Sequence, residues 1–454
     1  MKFLPKEKSS VVFLLGFSFV LGVLYVFLTP PWQAPDEYTH YEYVHLLSRS
    51  KITQIKQQPD PDVQKEIIRS LDRFHVWKYV YEKPPDELPD RFIDSKVLSW
   101  SQSKLQRPPL YYVGGSLLLK LFKTDCLLAR HYMMRMYSLL ISMFTILFTF
   151  LSAQIVFNRD FVNSFFAAGF VAFLPQFGII SSSISSDNLA NLMGAVSLYL
   201  FLFCLKNRNK PLLLLWFPAV ITVAFFSGKT DFFIIPAFGI FLLIWLWKNR
   251  HWAQSNVLLL LGIAVSLLIL GYLLFFVVFN EIGTTITANF WSQVKELGKH
   301  FIASRGQGVL SKKFAFTFFK SFWSYPGWMA FPLPHSVYNV LGLFSVLGLA
   351  GVIKYVLSCA SRSHHKTAVK MESVLLLSAF VLTSFAGTLL RGLPMARYLF
   401  PSLAAIAILA ALGFREWIPS QAKGRVLMGL LFALIGLNFY NIFIHMTNAF
   451  YYTF

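Results

Sequence analysis

The sequence predicts an all-α protein, a polytopic bundle of about eleven transmembrane helices with a large polar loop after the first. Three observations predict it. Of 454 residues, 56% are hydrophobic and 14% are charged, whereas about a quarter of an average soluble domain is charged. The apolar residues fall in long blocks, and a block of roughly 18 or more reads as a membrane-crossing helix. The cations gather in alternate short segments between the blocks, as the positive-inside bias requires. That placement excludes a nucleic-acid partner despite a net charge of +20. Cys126, Cys204 and Cys359 are far apart, with no metal or disulfide spacing.

The blocks are 11–29, 134–157, 161–179, 188–205, 212–226, 232–247, 255–279, 337–357, 373–390, 398–414 and 426–447. The first follows Lys2, Lys6 and Lys8, is longer than a signal-peptide core and lacks a small-x-small site after it, so it is expected to stay as an anchor. With the N-terminus inside, the inner segments include Lys206 to Lys210, Lys248 to His251, and Arg362 to Lys370 with His364 and His365. An odd number of crossings then puts the C-terminus outside. The chain divides into an anchor (1–29), a first external loop (30–133), a transmembrane core (134–279), a second external loop (280–336) and C-terminal transmembrane helices (337–454).

Residues 30–108 hold twelve of the 21 acidic residues and as many Lys and Arg. Pro59 to Asp62 and Lys83 to Glu87 are turn signals. Between them, Val63 to Trp77 has the period of an amphipathic helix, with Val63, Ile67, Leu71 and Phe74 on one face. Tyr111 to Phe122 is apolar but too short to cross, which suits a re-entrant or interfacial helix.

Five places offer chemistry. Pro35-Asp36-Glu37, followed by His40, sets two carboxylates where the first helix leaves the hydrocarbon. A partly dehydrated carboxylate there has the raised basicity a general base needs. Proline followed by acids also suits a helix start, and the two roles are compatible. If the helix resumes at Asp36, His40 shares its face. Arg107, Tyr111 and Tyr112 close the loop as a cation and two rings, fit for a site or for an aromatic belt. Asp187 and Asn188 begin the fourth block, fit for helix capping or for a polar site. Lys229 follows a glycine but lacks the rest of a P-loop; it suits snorkelling or phosphate binding equally. Arg391 and Arg397, the latter followed by Tyr398, lie in an outer loop against the charge bias, and arginine suits bidentate phosphate binding. Lys312, Lys313, Lys320 and the aromatic run Phe314 to Trp328 suit lipid contact, acceptor contact or interfacial anchoring.

The order of these features resembles membrane glycosyltransferases of the GT-C class. Pro35-Asp36-Glu37 with His40, Pro108-Pro109-Leu110-Tyr111-Tyr112, Ser186-Asp187-Asn188 and Arg397-Tyr398-Leu399-Phe400-Pro401 resemble, more narrowly, a bacterial family of predicted membrane proteins placed in that class. The resemblance implies an inverting transferase in the cell membrane, with a polyprenyl-phosphate-linked sugar as donor. The acceptor it implies is a glycan, a glycolipid or a protein. It implies Asp36 as base, Glu37 as its assistant or as an orienting group, Arg397 and Lys229 on the phosphate, and Tyr111 and Tyr112 at the sugar. A two-residue acidic motif favours a reaction without metal or other cofactor. The competing readings are a lipid-linked-glycan flippase or transporter, a glycan polymerase or ligase, and a scaffold. A flippase calls for ionisable groups in mid-helix, a polymerase or ligase for a late catalytic loop, and a scaffold gives no reason for two outer arginines.

Overall fold

The computed structural model describes residues 5–49, 59–78, 88–92, 110–207, 210–228, 230, 233–249, 265, 311–361 and 369–452. Among the described residues there are helices and no strands. Seven helices are long and apolar enough to cross a membrane. They are α1 (Pro5–Leu28), α5 (Leu127–Val156), α8 (Asp187–Lys206), α12 (His335–Ser361), α13 (Met371–Leu390), the 3-10 segment Ala396–Ser402 continued by α14 (Leu403–Arg415), and α15 (Lys423–Phe439) with its continuation to Tyr452.

The expected block 161–179 is two helices, not one. Helices α6 (Phe161–Ala172) and α7 (Pro175–Ser181) meet at a 60° bend. Pro175 lacks the N–H that would continue α6 and starts α7 as its first residue. The blocks at 212–226 and 232–247 form shorter helices, α9 (Trp216–Ser227) and α10 (Ile234–Lys248). The block 255–279, Val265 apart, lies outside the described residues, as do Arg107, Lys229 and Arg362 to Lys366 with His364 and His365.

The first loop folds as a helical cap. Helix α2 (Glu37–Arg49) follows α1 after an eight-residue turn. Helix α3 (Pro61–Arg73) starts at Asp60, whose carboxylate accepts from the Asp62 and Val63 amides, and buries Val63, Ile67 and Leu71 as the periodicity predicts. Helix α4 (Leu110–Leu121) fits under α2 through Tyr111 and Tyr112. The second loop contributes α11 (Lys312–Trp323), where Lys320 lies over the Phe316 ring.

Enclosure separates the middle of the bundle from its rim. In the crossing Ala396–Arg415, 78% of the apolar stretch is buried, against 22% in His335–Cys359. Val340, Leu343, Val346 and Leu349 are exposed along α12, the face a lipid would cover. Close approach replaces hydrophobic driving force between such helices. Gly194 of α8 lies against the Pro401 backbone, where any Cβ would collide, and this draws the 396–402 segment onto α8.

The two ends of the bundle differ. At one, Lys423 pairs with Asp160, Lys248 with Glu372, and Lys354 donates to the Glu416 carbonyl. The other carries the cap. Tyr451 donates to the Leu28 carbonyl, 3.2 Å away, so the last described helix ends beside the cap-side end of α1.

Candidate functional site

The site begins in the turn between α1 and α2. Pro30, Pro31 and Pro35 fix its backbone, and two non-glycine residues in it are left-handed, Trp32 (φ 69°) and Asp36 (φ 64°). Aspartate tolerates this conformation better than most residues; tryptophan does not. Asp36 starts α2 with its carbonyl, which accepts from the Thr39 and His40 amides and the Thr39 hydroxyl. Its carboxylate is turned away, to Arg397, with Nη2 3.4 Å from Oδ2. The helix-start reading and the site reading thus both hold, for different atoms of one residue.

Arg397 joins three groups. It meets Asp36, donates to the Tyr398 hydroxyl at 3.2 Å, and holds Nε 3.9 Å from the Asp187 carboxylate. Pro401 explains its placement. Proline removes the N–H that would bond the Arg397 carbonyl, so 396–402 winds as a 3-10 helix and ends against α8 at Gly194. Arg391 and Arg397 both lie against the Tyr398 ring, 4.7 and 5.1 Å from its centre. Five of the residues singled out in the sequence, Asp36, Asp187, Arg391, Arg397 and Tyr398, therefore form one cluster at the cap end.

Glu37 points the other way. Its two oxygens take a bidentate pair from Arg135, at 2.7 and 2.8 Å, and one also accepts the Ile184 amide at 3.1 Å. His131 lies 3.5 Å off. Both members of the pair are fully buried. Burial alone would raise the Glu37 carboxyl, but the Arg135 guanidinium and the His131 ring outweigh it and hold the group well below the usual carboxylate range. Arg135 also donates to the carbonyls of Val26, in the last turn of α1, and of Thr29 and Pro30 just after it. This ion pair ties α1, α2 and α5 together and leaves Glu37 no oxygen for an acceptor.

Three further expectations need correcting. His40 does not share the Asp36 site: its Nδ1 is 2.8 Å from the Tyr112 hydroxyl, in the interior of the cap. Tyr111 and Tyr112 line no open surface. Both are fully buried, Tyr111 on Ser138 and Tyr112 between His40 and Ser186. Asn188 is a clasp, with its amide nitrogen donating to the carbonyls of Ile180, Ser183 and Ser185 and its oxygen accepting from Ser142. These residues hold the cap onto α5 and α8, one layer behind Asp36 and Asp187.

A small cleft, open to solvent, lies beside the cluster. Arg397 and Pro35 border it, with Gln33, Gln176, Tyr325 and Trp328 around them. Among the described residues, no three His, Cys, Asp or Glu side chains gather as metal ligands would.

A protein-family model described as "Predicted membrane protein (DUF2142)" matches residues 19–406, most of the chain. The chain belongs to this family of predicted membrane proteins. The match takes in Asp36 and Arg397 alike, so the family segment contains both halves of the cluster, while α15 lies beyond it. No curated protein matches the chain.

Sequence reasoning passed over Arg135, Gln33 and Gln176. Arg135 carried a signal, a lone cation inside the apolar block 134–157, which is costly unless paired. The block in fact begins at Leu127, so His131 and Arg135 belong to its cap-side turns. The two glutamines carried no signal, because only the tertiary fold brings 33, 176 and 397 to one cleft.

Proposed function

We propose that this membrane protein is an inverting glycosyltransferase that moves one sugar from a polyprenyl phosphate to an acceptor hydroxyl at the outer membrane face. The observation that carries the reading is the contact between Asp36 and Arg397, 361 positions apart in sequence and joined beside an open cleft at the cap end. The cation-rich opposite end, by the positive-inside rule, supports a cytoplasmic N-terminus with the cap and the C-terminus external.

The proposed step needs one base and one anion site. The acceptor oxygen bonds the anomeric carbon from the face opposite the phosphate while its proton passes to Asp36. The bond between that carbon and the phosphate oxygen breaks, and its electron pair leaves on the polyprenyl phosphate. Arg397 meets that charge in a partly dehydrated site, where a fixed cation is worth more than in water. Asp36 and Asp187 share this guanidinium, and Nε has no hydrogen-bond partner among the described residues. An arriving phosphate competes for Arg397 and frees Asp36 as a base. Glu37 and Arg135 fix the turn that carries Asp36.

A flippase remains the second reading. The buried Glu37–Arg135 pair is an ionisable pair in the bundle, the feature such a protein needs. Its bidentate closure, with three backbone carbonyls also bound, fits a fixed anchor better than a transit path. Purified protein in nanodiscs, offered polyprenyl-phosphate monosaccharides one at a time with water as acceptor, tests the proposal. Release of sugar from one donor, lost in Asp36→Asn, is the expected result. Absence of release from every donor, or undiminished release in the folded variant, overturns it; lipid translocation is then the activity to assay.

A further inference from the structure

The cleft beside Arg397 has features the transfer reading does not use. Gln33 is 1% exposed, donates weakly to the Phe74 carbonyl at 3.4 Å, and leaves Oε1 with no partner among the described residues. Leaving such a carbonyl unpaired costs about 1–3 kcal/mol. Across the cleft, Gln176 accepts the Tyr325 amide through Oε1 at 2.7 Å, and its NH2 has no partner among the described residues. Arg397 Nε is likewise buried without a hydrogen-bond partner among the described residues, with the Asp187 carboxylate 3.9 Å away. One acceptor and two donors thus border the same small space.

Trp328 forms another wall. Gly327, Trp328 and Met329 are left-handed in succession, at φ 64°, 58° and 64°. A bulky side chain at such an angle costs about 1–3 kcal/mol and persists only where its surroundings enforce it. Here the Trp328 indole donates to the Trp32 carbonyl at 3.3 Å, and its ring stacks on Tyr38. Trp32 is itself left-handed, two residues before Pro35. The strained turn before Asp36 and the strained turn at 327–329 therefore hold each other, and they fix a half-buried indole beside the cleft.

We infer that this cleft is a monosaccharide pocket, with Trp328 as the stacking face for a sugar ring and Gln33 and Gln176 as hydrogen-bonding partners for its hydroxyls. The inference rests on the transfer reading and deepens it by naming residues that select the donor. A sugar ring presents an apolar face to an aromatic ring and hydroxyls around its rim, and the cleft supplies both kinds of partner. Arg397 at the border sets the phosphate end of the donor.

Binding separates this inference from turnover. The Asp36→Asn protein in nanodiscs is titrated with bare polyprenyl monophosphate and with the same lipid carrying one hexose or one pentose. The preferred sugar-bearing lipid binds at least about tenfold more tightly than the bare lipid, the worth of one or two hydrogen bonds. Gln33→Leu and Trp328→Leu each remove most of that preference and leave the affinity for the bare lipid in place, whereas Trp328→Phe keeps it. Thermal melts confirm that each variant is folded, and either leucine variant carries the test alone. No preference for any sugar, or a preference that both leucine variants retain, overturns the pocket. A preference without sugar release from the unaltered protein keeps the pocket and overturns the transfer reading instead.

Discussion

Asp36 and Glu37 are adjacent in sequence and opposite in circumstance. Glu37 is closed in on all sides, with a bidentate arginine, a backbone amide and a histidine. Asp36 meets one guanidinium nitrogen at 3.4 Å beside an open cleft. Two carboxylates on one turn differ because their surroundings differ, and surroundings of that kind are what set paired acids apart. The Glu37–Arg135 pair holds the turn that carries Asp36. Residue type alone does not make this division. The tertiary fold does, by setting Arg397 against one side chain and Arg135 against the other.

Removing each charge in turn should separate the two roles. Asp36→Asn should lower sugar release by about 10²–10⁴, the contribution of a general base, and leave the melting temperature nearly unchanged. Glu37→Gln should do the reverse in origin, costing about 3–5 kcal/mol of stability by leaving Arg135 buried without its counter-charge. A thermal melt in detergent reads that loss, and normal stability in this variant would break the comparison. Arg397→Lys should lower release by about tenfold or more, since lysine keeps the charge but cannot reach Asp36, Asp187 and a phosphate with one planar group.

A smaller effect concerns pH. Glu42 is buried in the cap and accepts from Gln64 at 2.6 Å. Burial pushes its carboxyl up to about 7, against the lowering influence of Gln64. The folded protein therefore holds a proton that the unfolded chain has released. The stability this gives is full below the ordinary glutamate value and is lost as pH rises through about 7. Glu42→Gln keeps the bond to Gln64 without the charge, so it should raise the melting temperature at pH 8 by a few degrees and flatten the slope between pH 5 and 8. Glu37 has the opposite sign. Its depressed carboxyl stabilises at neutral pH, and that contribution is lost on acidification.

Much of the fold was legible because membrane crossing imposes length and apolarity on each helix. The break at Pro175 was also written in the sequence, but the apolar block runs through it and hid it. The cluster was partly legible. Arg397 stood out because an outer arginine defies the charge bias, and Asp36 because carboxylates at a helix exit are rare. His40, Tyr111, Tyr112 and Asn188 were in the right neighbourhood and in the wrong layer. Sequence tells which polar residues must find partners, but tertiary packing decides whether those partners are protein atoms or a ligand.

The most direct measurement is sugar release from matched polyprenyl-phosphate donors by the unaltered protein, Asp36→Asn and Glu37→Gln, each normalised to folded protein at a temperature where all three persist. The account predicts release by the unaltered protein, near-complete loss in Asp36→Asn, and substantial residual release per folded molecule in Glu37→Gln. Equal loss in both acids, or release that survives in Asp36→Asn, would contradict it.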